Sequence, residues 1–123
     1  MSDRVRDREP ANERTASGRT RTTFNRYVDM LEQDMLAHFR AQRHPSLQQW
    51  KIALESYIAS MAHQRIADRA LRRAGFTEQE IQPTDASMAI PYTIVVAPDD
   101  SLVALHLDKD AMWRSHQPLI KVR

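Results

Sequence analysis

Residues 92–107 read Tyr-Thr-Ile-Val-Val-Ala-Pro-Asp-Asp-Ser-Leu-Val-Ala-Leu-His-Leu, and this stretch decides the fold class. Side chains alternate between the two faces of a strand, so Tyr92, Ile94 and Val96 share one face and Thr93 and Val95 the other. Pro98-Asp99-Asp100-Ser101 is a turn sequence, because proline presets the first turn dihedral and aspartates bond their own backbone. Val103, Leu105 and Leu107 are then expected on the apolar face of a return strand, opposite Leu102, Ala104 and His106. A two-stranded sheet alone is marginal in water, so this β-hairpin must pack on helices or gain a third strand. Leu119–Val122 alternates enough to be that strand, and Asp110 is placed to cap a short turn carrying Met112 and Trp113.

Upstream, residues 83–89 read as a loop behind Pro83, and Thr77–Gln82 as one further helical turn. The apolar period before that is helical. Leu47, Trp50, Leu54, Tyr57, Ile58, Met61, Ile66, Ala70 and Leu71 recur at three- and four-residue spacing, which predicts a helix over residues 46–74 with Ser46 as its N-cap. Gly75 suits the left-handed residue that ends a helix, with Phe76 folding back on the last turn. Phe24, Tyr27, Val28, Leu31, Met35 and Phe39 predict an earlier helix over residues 23–42, capped by Thr22 or Thr23. His44-Pro45-Ser46 separates the two, so the expected class is α+β. An antiparallel helical hairpin with a long second helix packs against the β-hairpin or a three-stranded sheet. Trp50, Leu54, Tyr57, Ile58 and Met61 should face Phe24, Val28, Leu31 and Met35, with Ile94, Val96, Leu105 and Leu107 closing the core.

Residues 1–22 carry only Val5 and a few alanines as apolar side chains, too little to offset the entropy of ordering the backbone. They are expected to be a disordered arginine-rich tail on a single domain over residues 23–123. Charge is uneven: residues 1–26 hold seven arginines against four acids, and residues 27–123 hold eleven basic against twelve acidic side chains. An arginine-rich start also occurs in mitochondrial presequences, but the interspersed Asp3, Asp7, Glu9 and Glu13 argue against that reading.

The 123 residues include no cysteine, which removes disulfides, thiol catalysis and cysteine-ligated metal centres and fits the cytoplasm. No apolar run is long enough to span a bilayer, and the start lacks the apolar segment of a secretory signal. Glycine occurs only at Gly18 and Gly75, so glycine-rich phosphate loops and serine nucleophile elbows are excluded. The histidines at 38, 44, 63, 106 and 116 show no helical pair four apart, and Asp108 and Asp110 lack the later ligands of a calcium loop. No cofactor, metal site or catalytic residue is assigned.

Two features remain. The helix–glycine–apolar cadence from Gln64 to Ile81 has the outline of a helix-turn-helix, but Pro83 ends the second helix too early to read a major groove. Arg65, Arg69, Arg72 and Arg73 form a stripe at the end of the second helix, which the helix dipole explains as ordinary capping. Joined to Arg4, Arg6, Arg8, Arg14, Arg19 and Arg21 of the tail, the stripe becomes a candidate phosphate-binding surface. The leading functional expectation is nevertheless a non-catalytic interaction or regulatory protein whose helical hairpin binds a protein partner, including a second copy of itself. The second helix outruns the first, leaving apolar surface for an interface. A nucleic-acid-associated accessory protein, using the basic residues above, is the alternative from a different class; a small enzyme without a recognisable motif is the third.

Overall fold

The computed structural model describes residues 12–63, 66–82 and 90–120, with side chains for all of these except 12–17, 62, 63 and 66. Helix α1 spans Asn12–Phe39, α2 Leu47–His63 and α3 Ile66–Ala74. Strands β1 (Tyr92–Val96) and β2 (Leu102–Leu107) follow, then α4 (Lys109–Ser115) and a single 3-10 turn at Gln117–Leu119. The fold is α+β, with the helices and a two-stranded antiparallel sheet packed together.

Phe24, Tyr27, Val28, Leu31, Met35 and Phe39 are all buried, as their spacing predicts. The helix carrying them starts earlier than a cap at Thr22 or Thr23 requires: residues 12–22, read above as part of the tail, are helical. At ~1.5 Å per residue the 28 residues of α1 run about 42 Å. Thr22 and Thr23 return their hydroxyls to the carbonyls of Gly18 and Arg19 one turn back, so both threonines lie inside the helix. α1 ends at Phe39, three residues short of the expected boundary.

Ser46 caps the next helix as expected, its Oγ accepting from the Gln49 N–H at 3.1 Å. Of the predicted run over residues 46–74, Leu47–His63 and Ile66–Ala74 are helical, named α2 and α3, and residues 64 and 65 lie outside the described residues. Phe39 meets the rings of Trp50 and Tyr57 near the turn, whereas Arg26 reaches the Ala74 carbonyl at the far end of α3. α2 and α3 therefore run back antiparallel to α1. At the end of α3 the Phe76 N–H donates to the Leu71 carbonyl and the Gly75 N–H to that of Arg72, both at 3.1 Å. This is a Schellman closure, and it requires the left-handed φ of 125° at Gly75. A side chain there would also press on Thr23 Cγ2, 3.3 Å from where a Cβ would stand. The Thr77–Gln82 segment forms a turn rather than a helix, closed by Glu80 Oε1 accepting from the Thr77 N–H at 2.8 Å.

β1 and β2 pair Tyr92 with Leu107, Thr93 with His106, Ile94 with Leu105 and Val95 with Ala104. The loop is a three-residue turn: the Ala97 N–H donates to the Ser101 carbonyl and the Asp100 N–H to that of Ala97, with Asp100 at φ 70°. The register then shifts, pairing Val96 with Leu102 and leaving Val103 as the extra residue of a bulge on β2. Val103, expected on the apolar face with Leu105 and Leu107, is instead 60% exposed, because the bulge interrupts strict alternation. Leu105 and Leu107 are buried, and Ile94, Val96 and Leu102 pack partly against the core. β2 is the strand that lies along α1.

Among the described residues the sheet has two strands, and Leu119 and Ile120 of the expected third strand do not join it; Lys121 and Val122 lie outside the described residues. Residues 117–119 form the 3-10 turn and Ile120 makes an isolated bridge with Ile81. Pro118 has no N–H to donate to a ladder, and the Gln82 N–H caps the Leu119 carbonyl at 2.7 Å instead. Asp108, not Asp110, caps α4, accepting from the Ala111 N–H at 3.0 Å.

Candidate interaction surface

The candidate phosphate contacts are dispersed. Arg4, Arg6, Arg8 and Arg65 lie outside the described residues, and Arg14 lies in α1 with its side chain undescribed. Arg19 pairs with Glu80, Arg72 with Glu78, and Arg73 with Asp34 at 3.2 Å. Arg21 pairs with Asp110, donates to Asn25 Oδ1 and lays its guanidinium 5.5 Å from the centre of the Trp113 ring. These four carboxylates belong to three different places: α1, the turn after α3, and α4. Arg69 is exposed and has no ion-pair partner among the described residues. Arg19, Arg21, Arg72 and Arg73 thus each face an acid that the chain brings from elsewhere. Two acids register this. The Thr77 N–H, with smaller help from Arg19, holds the Glu80 carboxyl below its ordinary range, and the bond from Arg21 does the same for Asp110.

One polar pair was invisible to sequence spacing. His116 is fully buried at the end of α4, against Phe24 and Tyr27 of α1. Its Nδ1 stands 2.9 Å from the Met112 carbonyl, which can only accept, so Nδ1 carries the proton. Nε2 is then the lone-pair nitrogen, and the Tyr27 hydroxyl donates to it at 2.9 Å. Burial pushes His116 down to about 4, and burial, with Asp68 adding to it, raises Tyr27. Both groups are neutral near pH 7 and satisfied by each other, the arrangement of a packed core contact rather than an open catalytic dyad.

Two shallow grooves border α1. One of about 300 Å³ is lined by Arg26, Asp29, Met30, Gln33, Asp34 and Arg73. The other, about 370 Å³, lies between α1 and α2 beside the stacked rings of His38 and Tyr57. Among the described residues no group of three His, Asp or Glu side chains could hold a metal ion. No described helix is long and apolar enough to cross a membrane.

Apolar exposure falls elsewhere. Leu47 and Ile52 of α2 are each about half exposed, at 51% and 52%, and Val95 and Val103 of the β-hairpin at 49% and 60%. Val95 and Val103 stand on the outer face of the sheet, beside exposed Thr93 and His106. Leu47 continues the helical spacing of the second helix but sits directly after the Ser46 cap, in its first turn.

No family model, curated protein or solved structure matches the chain. The surface must be read from its own chemistry.

Proposed function

We propose that this chain is a non-catalytic protein-interaction module that self-associates, presenting α2 and the outer face of the β-hairpin. The observation that supports this reading is the exposure of Leu47, Ile52, Val95 and Val103 on a molecule of this size. Large apolar side chains left in water on α2 and on the hairpin gain free energy on being covered. Four of the candidate arginines, by contrast, are engaged: a phosphate would have to displace Glu80, Asp110, Glu78 or Asp34 from Arg19, Arg21, Arg72 or Arg73.

The alternative reading, sequence-independent nucleic-acid contact, retains one supporting observation in Arg69, exposed and without an ion-pair partner among the described residues. Sedimentation of the full-length protein over a wide concentration range, alongside titration with a labelled DNA duplex at low and physiological salt, separates the two. Self-association with duplex binding that fades as salt rises supports the interaction module. A strict monomer that binds the duplex tightly at physiological salt replaces it with the nucleic-acid reading.

A further inference from the structure

Strand β1 has one hydrogen-bonded neighbour. The Asp108 N–H donates to the Pro91 carbonyl and the Ala97 N–H to that of Ser101, so residues 91, 93, 95 and 97 turn their backbone groups toward β2. The even residues Tyr92, Ile94 and Val96 must then turn theirs the other way, since the direction alternates along an antiparallel pair. Leu107, across from Tyr92, shows the same rule on β2: its outward N–H is taken by Glu32 Oε2 of α1 at 2.8 Å. The β2 edge thus has a partner on α1. On β1 no described residue meets the outward N–H and C=O groups of Ile94.

Among the described residues that edge lacks the charges and prolines that keep strands apart. Residues 92–96 contain no charge and no proline, and the bulge residue Val103 is on β2, leaving β1 regular. Its pattern is also self-complementary. Tyr92, Ile94 and Val96 are half-buried while Thr93 and Val95 are exposed, and this order is the same read in either direction. An antiparallel copy centred on Ile94 would set Ile94 opposite itself, Tyr92 opposite Val96 and Thr93 opposite Val95. Every inward side chain stays inward, and about six reciprocal N–H···O=C bonds form.

The overlying helix provides the matching charges. Trp50 Nε1 donates to the Asp100 carbonyl at the hairpin tip, and the Tyr92 hydroxyl to Glu55 Oε2 near its base. α2 therefore runs from tip to base above the sheet. Lys51 and Glu55, one turn apart, share the side of α2 that bears Tyr92, whereas Tyr57 turns to His38 and Phe39 of α1. A two-fold axis at Ile94 exchanges tip and base. Along the strand direction this brings the Lys51 level of one α2 to the Glu55 level of the other, twice.

We propose that two copies of this chain join β1 to β1, antiparallel about Ile94, to make a continuous four-stranded sheet. This assignment rests on the self-association reading above and places the contact at the edge of β1 rather than on the faces that carry Leu47, Ile52 and Val103. Thr93 and Val95 are exposed, so both can be changed without touching the core, and in the proposed register each faces the other across the axis. The variant carrying Thr93→Lys and Val95→Lys places like charges in direct opposition at two points and should weaken dimerisation by about tenfold or more. The variant carrying Thr93→Lys and Val95→Glu places opposite charges there and should restore a dimer constant within about threefold of the native one. Hydrogen exchange of the native protein provides a second measurement: the Ile94 amide should become protected as concentration rises through the dimer constant. A strictly monomeric native chain overturns self-association and this register with it. A native dimer that is indifferent to the double lysine variant, with an Ile94 amide whose exchange ignores concentration, overturns the edge while leaving self-association intact.

Discussion

The two halves of α1 are held by different physics. From Phe24 to Phe39 its inward residues are buried against α2, α3, the sheet and α4, and the helix owes its place to apolar area removed from water. From Arg19 to Thr23 the attachments are polar: Arg19 to Glu80, Arg21 to Asp110 and Trp113, and Thr20 and Thr23 buried between. Apolar burial is worth about 1.5–3 kcal/mol for a large side chain, and an exposed ion pair about 0–1 kcal/mol. One half is the foundation of the domain, and the other is a helical extension fastened to it.

The sharpest way to break that contrast is to remove a ring from the apolar half. Phe39→Ala opens a cavity beside Trp50 and Tyr57 and should cost about 3–5 kcal/mol, and Leu54→Ala, fully buried on α2, about 2–5 kcal/mol. Urea midpoints report both, and an unchanged midpoint would show that these side chains are not in the core.

Acid attacks the junction of the two halves through His116. Its folded value is pushed down to about 4, whereas an unfolded histidine titrates near ~6.5. Between those values the unfolded chain binds a proton that the folded chain does not, so stability falls as pH falls through this window. The full loss is about 3 kcal/mol and is complete near the lower value, with no contribution from this group above the higher one. His116→Gln should lower stability at pH 7 and remove this slope, and a variant that keeps the slope would assign it to other groups. Tyr27→Phe leaves His116 Nε2 without its donor and should cost about 1–3 kcal/mol by thermal or urea melting.

The polar half should respond least. Arg19→Ala or Arg21→Ala is expected to cost no more than about 1 kcal/mol, an effect that shrinks further in high salt. A loss comparable to that of Phe39→Ala would erase the distinction between the halves.

This contrast also explains what could be read from the sequence. The apolar half of α1, the cap at Ser46, the closure at Gly75 and the β-hairpin are legible because each is a local pattern: a period, a hydroxyl, a glycine, a Pro-Asp-Asp turn. Residues 12–22 showed no such period, and their anchors, Glu80 and Asp110, lie 61 and 89 residues downstream. The Arg stripe was legible as charge, but not the acids that meet it. Val103 was misplaced because alternation cannot show a bulge, and Leu119 because a single bridging residue beside it, Ile120, resembles a strand in period. The exposure of Ile52 and the open edge of β1 follow from which layers cover which, which no local pattern records.

The most direct test of the account is sedimentation equilibrium of the full-length native protein from low micromolar to near-millimolar concentration at physiological salt. The account predicts a reversible monomer–dimer equilibrium within that range. A single monomeric species at every concentration would contradict it.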